Sequence, residues 1–259
     1  MSHGTEFLRL ERQGSVAVVT LNRPPVNALN LHLLLELGEV AQELSECDDL
    51  RAVVLTGTGK FFVAGADISQ MKDYTPQQAL SLSKIGQAVF DAIEALPMPV
   101  IAAVNGFALG GGCELAMACD LILASSRAVF GQPEVKLGVI PGFGGTQRLV
   151  RRVGVQRARE LCYSGRNVKA EEAVRIGLAL EAVEGEVLEA ALALAQSIAG
   201  NSPCAVAYCK RAINESRSAA PAAGLALERD LFGLCFSTED QAEGMGAFLE
   251  KRSAEFKGQ

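Results

Sequence analysis

Three consecutive glycines, Gly110, Gly111 and Gly112, open directly onto the apolar run 115–119, and no other stretch constrains the fold as strongly. Glycine permits backbone conformations and close approaches that a Cβ forbids, so a helix entered through three of them leaves its first N–H groups bare for an anion. Glu114 falls in the first turn of that helix, where the macrodipole favours the carboxylate and suits it to a general base. Two more glycine-bearing turns follow, Gly131-Gln132-Pro133-Glu134 and Pro141-Gly142-Phe143-Gly144-Gly145. A bare N–H, an acid and a base are the parts needed for proton chemistry beside a carbonyl, and Glu114 and Glu134 are the candidate pair.

Upstream, residues 7–12 and 15–21 read as a hairpin around Gln13-Gly14. Asn30 is placed to cap a helix over 31–47 with a stripe of leucines, 51–56 is a β-branched buried strand, and Pro76 opens a helix over 76–96 that Pro97 and Pro99 stop. Strand 100–104, helix 110–119 and strand 121–124 continue the alternation, which predicts an α/β fold. Beyond Val155 strand signals fade except over 178–183. After Asn201-Ser202-Pro203 the chain reads as helices over 203–216, 221–236 and 239–251, so residues 1–200 form the core that carries the site and 201–259 a helical appendage. No residue-level repeat and no low-complexity linker stand out.

With 49% hydrophobic residues the chain has ample material for a buried core. A net charge of −6 and a pI near 5.1 argue against nucleic acid or an anionic membrane as partner. The basic run Arg148, Arg151, Arg152, Arg157 and Arg159 reads as a solvated helix face. Seven cysteines without a C-x-x-C pair read as reduced core thiols, and with no basic-then-apolar leader and no run near the ~18 residues that span a bilayer the expectation is a soluble, cytoplasmic protein. Two histidines, His3 in a frayed terminus and His32 in a helix pattern, leave little for a His triad or a His-ligated metal, and no metal is expected.

The turn Ala64-Gly65-Ala66-Asp67-Ile68 follows the apolar Phe61-Phe62-Val63 and is small enough to let backbone approach a ligand. If the N–H groups of Ala66 and Gly111 converge, they make a two-donor oxyanion hole suited to a thioester whose carbonyl becomes an enolate. From residues alone, other readings stand beside this one. The glycine triplet equally serves close helix packing, an isolated Glu114 or Glu134 reads better as a solvated surface carboxylate, and two carboxylates also serve glycoside hydrolysis. Neither the Walker pattern nor G-x-G-x-x-G is met, since Gln147 stands where the last glycine is required.

Several ordered motifs, however, resemble the enoyl-CoA hydratase/isomerase (crotonase) family across nearly the whole chain: Leu21-Asn22-Arg23-Pro24, Ala64-Gly65-Ala66-Asp67-Ile68, the block from Pro99 to Gly106, Ala108-Leu109-Gly110-Gly111-Gly112-Cys113-Glu114, Gly131-Gln132-Pro133-Glu134, and Gly144-Gly145-Thr146-Gln147-Arg148-Leu149. The resemblance implies an α/β spiral of ββα repeats with a C-terminal helical region that serves oligomerisation or as a lid, assembled as a homotrimer or a dimer of trimers (homohexamer). It implies an acyl-CoA thioester as substrate and no further cofactor. By similarity the oxyanion donors are Ala66 and Gly111, and Ala64, Ala66, Asp67, Ile68 and Gly111 line the CoA. Glu114 and Glu134 hold one water, Glu114 as base toward it and Glu134 as donor to the α-carbon, with the backbone of Gly142 helping to hold that water. Water then adds to a trans-2-enoyl-CoA to give a 3-hydroxyacyl-CoA, in fatty-acid oxidation or its dehydrating reverse. Δ3-Δ2 isomerisation through Glu134 alone is the runner-up, and a non-catalytic CoA- or RNA-binding member the alternative of another class.

At some positions the chain departs from the family pattern. Ser69 stands where many relatives carry Lys, and the segment around Ala28 is tighter than the usual lysine-containing one, which leaves those CoA contacts open. Phe248 and Lys251 resemble residues that cover CoA from a neighbouring subunit, with helix packing and solvation as the equal alternative. Asp120 matches a family acid whose expected work is capping or pairing. The segment 71–83, with Tyr74, Leu80 and Leu82, is expected to line the acyl tail.

Overall fold

The computed structural model describes residues 5–259, so the expectation for His3 lies outside the described residues. β1 (Leu8–Gln13) and β2 (Val16–Leu21) form the expected antiparallel hairpin, turned at Gly14 with φ +62°. α1 (Leu31–Ser45) starts where Asn30 accepts from the Leu33 N–H and buries its leucine stripe. β3 (Ala52–Gly57) and β4 (Phe61–Val63) precede the single turn α2 (Ile68–Met71) and the long α3 (Pro76–Glu94), whose start is fixed by a reciprocal capping box between Thr75 and Gln78. β5 (Val100–Val104), β6 (Phe107–Leu109), α4 (Gly111–Ala118), β7 (Leu121–Ser125) and β8 (Val129–Gly131) follow. A 3-10 turn over Glu134–Leu137 leads to α5 (Gly145–Ser164), broken at Gly154. β9 (Asn167–Lys169), α6 (Ala170–Arg175), β10 (Glu181–Val183) and α7 (Val187–Ala199) complete the sheet-bearing part, and α8 (Pro203–Glu215), α9 (Pro221–Cys235) and α10 (Glu239–Glu250) follow.

The strands sort into two sheets with the orders β1-β2-β3-β5-β7-β10 and β4-β6-β8-β9. In the pairs β3–β4, β5–β6 and β7–β8 the first strand joins the large sheet and the second the small one; helical chain links each pair to the next, and after the third α5 leads on to β9 of the small sheet. This ββα period is carried by geometry, since the side chains of successive units differ. The three-residue strands β4, β6, β8 and β9 escaped the sequence reading because three residues are too few for a period-2 pattern. The strand expected over 178–183 shortens to β10.

Most of the core lies against one face of the large sheet, where α1, α3 and α4 pack; a second, smaller cluster joins Val54, Ile101 and Leu123 to Ala191 and Ala195 of α7. The glycine triplet serves both of its alternative readings at once. Gly110 takes φ +50° at the helix entry, and a Cβ on Gly112 would stand 2.1 Å from the Val63 carbonyl oxygen, so α4 lies directly on β4.

Two expectations are corrected. Of the basic run only Arg151, Arg157 and Arg159 are solvated; Arg148 is 5% exposed and pairs with Asp91 and Glu94, and Arg152 donates to the carbonyls of Met117 and Cys119. The buried end of α4 leaves carbonyls that the Arg152 guanidinium satisfies, while Arg148 donates to the Phe143 carbonyl beside the site. Of the seven cysteines, all free, only Cys113 and Cys119 are buried, and Cys209 is exposed because α8 buries no residue in this chain.

The appendage is fastened to the rest of the chain by polar contacts. Lys210 of α8 donates to Asp120 at 2.7 Å and to the Met98 carbonyl, while Arg51 donates to the carbonyls of Ala199 and Phe256. Asp120, which also accepts from the Val100 N–H, pairs structurally as expected. Among the described residues no helix is long and apolar enough to cross a membrane, and no three His, Cys, Asp or Glu side chains gather as a metal site.

Candidate active site

A cavity of about 540 Å³ opens between the 64–68 turn, the entry of α4, the 134–144 segment and one face of α3. Other clefts are as large, about 570 Å³ between α3 and α8 and about 690 Å³ beside α1, so size does not single this one out. Its chemistry does.

Two peptide groups on its wall are held by their carbonyls. The Leu29 N–H donates to the Gly65 carbonyl at 2.8 Å, the Asp67 N–H donates back to Leu29, and this parallel bridge directs the Ala66 N–H away from Leu29. The Gly110 carbonyl accepts from the Glu114 N–H and from Nε2 of buried Gln132, both at 3.0 Å. Gly111 is the first residue of α4, so its N–H has no intrahelical partner. Among the described residues neither the Ala66 nor the Gly111 N–H meets an acceptor, and both residues line the cavity.

Glu114 and Glu134 reach the same cavity. Glu114 is 1% exposed, and its Oε1 accepts the N–H groups of Phe143 at 2.8 Å and Gly145 at 2.7 Å. Burial first, then the charge of Glu134, pushes its carboxyl up to about 7 against those two donors. The expected macrodipole stabilisation is therefore outweighed, because desolvation in the core acts on the whole charge while the helix end supplies a fraction of one. Glu134 opens the 3-10 turn; burial pushes it up to about 7 as well, and both its oxygens are buried without a donor among the described residues. A Cβ on Gly110 would come 3.2 Å from Glu134 Oε1, so the glycine also makes room for the acid.

The remaining expected residues divide. Ala64 and Ile68 line the cavity, as do Leu80, Leu82 and Gly142, whereas Tyr74 does not, and residues 76–83 belong to α3. Asp67 and Ala28 lie off its wall. The Asp67 carboxylate caps α2 through the Ser69 N–H; the Ser69 hydroxyl, donating at 2.6 Å, and Arg23, paired at 2.8 Å, hold it below its ordinary range, and Arg23 also donates to the Ala28 carbonyl. Phe248, 82% exposed, and Lys251 lie on and just after α10, off the cavity of their own chain. The sequence reading missed Gln132, Ser83 and Gln87. Ser83 and Gln87 carried one signal, an i, i+4 polar pair around Gly86 on an otherwise apolar helix face.

Fold and site together define a class: a ββα spiral in which two unengaged backbone donors and a pair of poised carboxylates share one cavity. A model of the enoyl-CoA hydratase/isomerase family matches residues 11–259, and the chain belongs to that family. It is 52% identical to a short-chain-enoyl-CoA hydratase of Clostridium acetobutylicum over 95% of each chain. It is 48% identical to a crotonyl-CoA hydratase of Syntrophomonas wolfei, covering 97% of this chain and 98% of the other. Among solved structures, an enoyl-CoA hydratase from Bacillus anthracis superposes with TM-score 0.95 at 39% identity, covering 98% of this chain and 100% of that one.

Proposed function

We propose that this chain is an enoyl-CoA hydratase that adds water reversibly to a trans-2-enoyl-CoA. The observation that carries this reading is the pair Glu114 and Glu134, both raised to about 7, on one cavity with two unengaged N–H donors. The thioester oxygen accepts from Ala66 and Gly111, which meet the charge of the enolate as it forms. A water lies between the carboxylates, held in addition by the Gly142 N–H, which has no acceptor among the described residues. Glu114, whose two N–H donors favour its anion, takes the water's proton as the oxygen bonds to Cβ. Glu134, which among the described residues has no donor to stabilise an anion, delivers its proton to Cα. The 3-hydroxyacyl-CoA leaves, and the proton returns from Glu114 to Glu134 through solvent.

No metal or further cofactor is needed in this scheme, and its setting is the cytoplasm. The acyl-CoA runs along Ala64–Ile68, and a homotrimer or dimer of trimers brings Phe248 and Lys251 of one copy over the CoA of another. Exposed Phe232, Phe236, Phe248 and Leu249 on and beside α9 and α10 support that role for residues 201–259. Incubation with crotonyl-CoA tests the reading: the conjugated thioester absorbance falls and 3-hydroxybutyryl-CoA forms. Conversion of a 3-enoyl-CoA with no hydroxyacyl product from any 2-enoyl-CoA would replace it with isomerisation.

A further inference from the structure

One face of α3 grips the turn that holds Glu114. Ser83 Oγ donates to the Gly142 carbonyl at 2.6 Å and Gln87 Nε2 donates to the same oxygen at 3.0 Å. Between them a Cβ on Gly86 would stand 2.3 Å from the Phe143 ring, and one turn further on Phe90 meets that ring edge-on at 5.7 Å. Residues 83, 86, 87 and 90 fall on one stripe of the helix, so four successive contacts close on Gly142 and Phe143. The Gly142 carbonyl and the Phe143 N–H are opposite ends of one peptide group, and that N–H donates to Glu114 Oε1 at 2.8 Å. The same helix carries Leu80 and Leu82 on the cavity wall.

We propose that Ser83 and Gln87 are positioning residues for hydration: by holding and polarising the Gly142–Phe143 peptide they orient Glu114 and strengthen the N–H that stabilises its anion. Donation to a carbonyl polarises the peptide and makes its N–H the better donor, and a locked peptide keeps the carboxylate aimed at the water. The inference rests on the hydratase reading and deepens it. Other groups face Glu114 as well. Glu134 faces it from the 3-10 turn, Arg148 and Cys162 from α5, and Cys113 from its own helix. On α3, Asp91 and Glu94 are engaged with Arg148 and Lys84 is exposed, while β4, β6 and β7 carry no titratable side chain. Both thiols are pushed upward by burial, Cys113 to about 12, so they stay neutral across the active range.

Ser83→Ala, Gln87→Leu and the double variant are assayed with crotonyl-CoA and with a longer 2-enoyl-CoA across pH, their folding followed by thermal melts. The double variant loses about 10-fold in kcat with little change in KM on both substrates. Weakening the donor favours protonated Glu114, so the acid limb moves to higher pH, by about 0.3–0.5 unit. Ser83→Thr, which keeps the hydroxyl, recovers most of the loss seen in Ser83→Ala. The single variants decide the matter if the double does not fold. An unaltered kcat and pH profile, or a KM effect that grows with acyl length, overturns the inference in favour of no role or of direct substrate contact. A wild-type protein inert toward every 2-enoyl-CoA overturns the hydratase reading itself, a result distinct from an active wild type with indifferent variants.

Discussion

Glu114 and Glu134 reach a similar poised range from opposite kinds of surroundings. Glu114 sits on α4 in the interior, flanked by the core and fastened through Oε1 to two N–H groups. Glu134 starts a short 3-10 turn, half-buried, with no donor on either oxygen among the described residues. In the first, strong desolvation is opposed by hydrogen bonds to the anion; in the second, weaker desolvation meets little opposition. The titration position alone therefore does not assign acid and base. The donor set and the freedom of the side chain do: the fastened group is suited to abstract from a water in fixed position, the loose one to carry a proton to carbon.

Replacing each acid in turn strikes at that division most heavily. Glu114→Gln and Glu134→Gln are each expected to lower kcat for crotonyl-CoA by about 10²–10⁴, the span typical of general acid–base groups. Gln at 114 can still accept from Phe143 and Gly145, so substrate binding persists and KM changes little. Should one variant turn over near the wild-type rate, the paired-carboxylate mechanism fails and a single-acid chemistry takes its place.

A smaller effect appears in the pH profile. Carboxylates that share a water titrate as a pair, so kcat/KM follows a bell whose limbs flank about 7: both acids are protonated below it and both ionised above it. Glu134→Gln abolishes the alkaline limb of whatever activity is left, because the group that must stay protonated no longer titrates. A wild-type profile flat from pH 5 to 9 would contradict the pairing.

Much of this arrangement was legible in the chain and some was not, for physical reasons. Asn30, Pro76 and Gly14 announce their caps and turns locally, so α1, α3 and the first hairpin fall within a few residues of expectation. The glycine triplet was visible because its composition departs from ordinary helices, whereas the two glutamates, marked only by their glycine-bearing neighbours, took their roles from the family resemblance. The clamp of Ser83 and Gln87 on Gly142 spans 59 and 55 residues, and the inward turn of Arg148 depends on Asp91 and Glu94 of a distant helix. Such pairings arise from tertiary packing, and a local pattern of polar residues on a helix reads the same whether it faces water or a buried carbonyl.

The smallest effect separates the two acids by stability rather than rate. A carboxyl raised on folding from 4.5 to about 7 holds more protons in the native chain than in the unfolded one between those values, so stability falls as pH rises through that window and the deficit is complete above it. Glu134→Gln removes the deficit. At pH 8 the variant should melt about 2–4 °C above wild type, the shift that ~1 kcal/mol produces in a chain of this size, a modest figure because Glu134 is partly exposed to solvent. Near pH 4.5 the difference vanishes. Glu114→Gln should gain less at pH 8 although its carboxyl is raised to the same value, since the amide NH2 enters a site only 1% exposed and has to find acceptors there that a carboxyl oxygen did not need. A larger gain at 114 than at 134 would mean that the Phe143 and Gly145 donors offset less of the burial of Glu114 than its elevation to about 7 implies, and the distinction between a fastened base and a free acid would have to be drawn the other way.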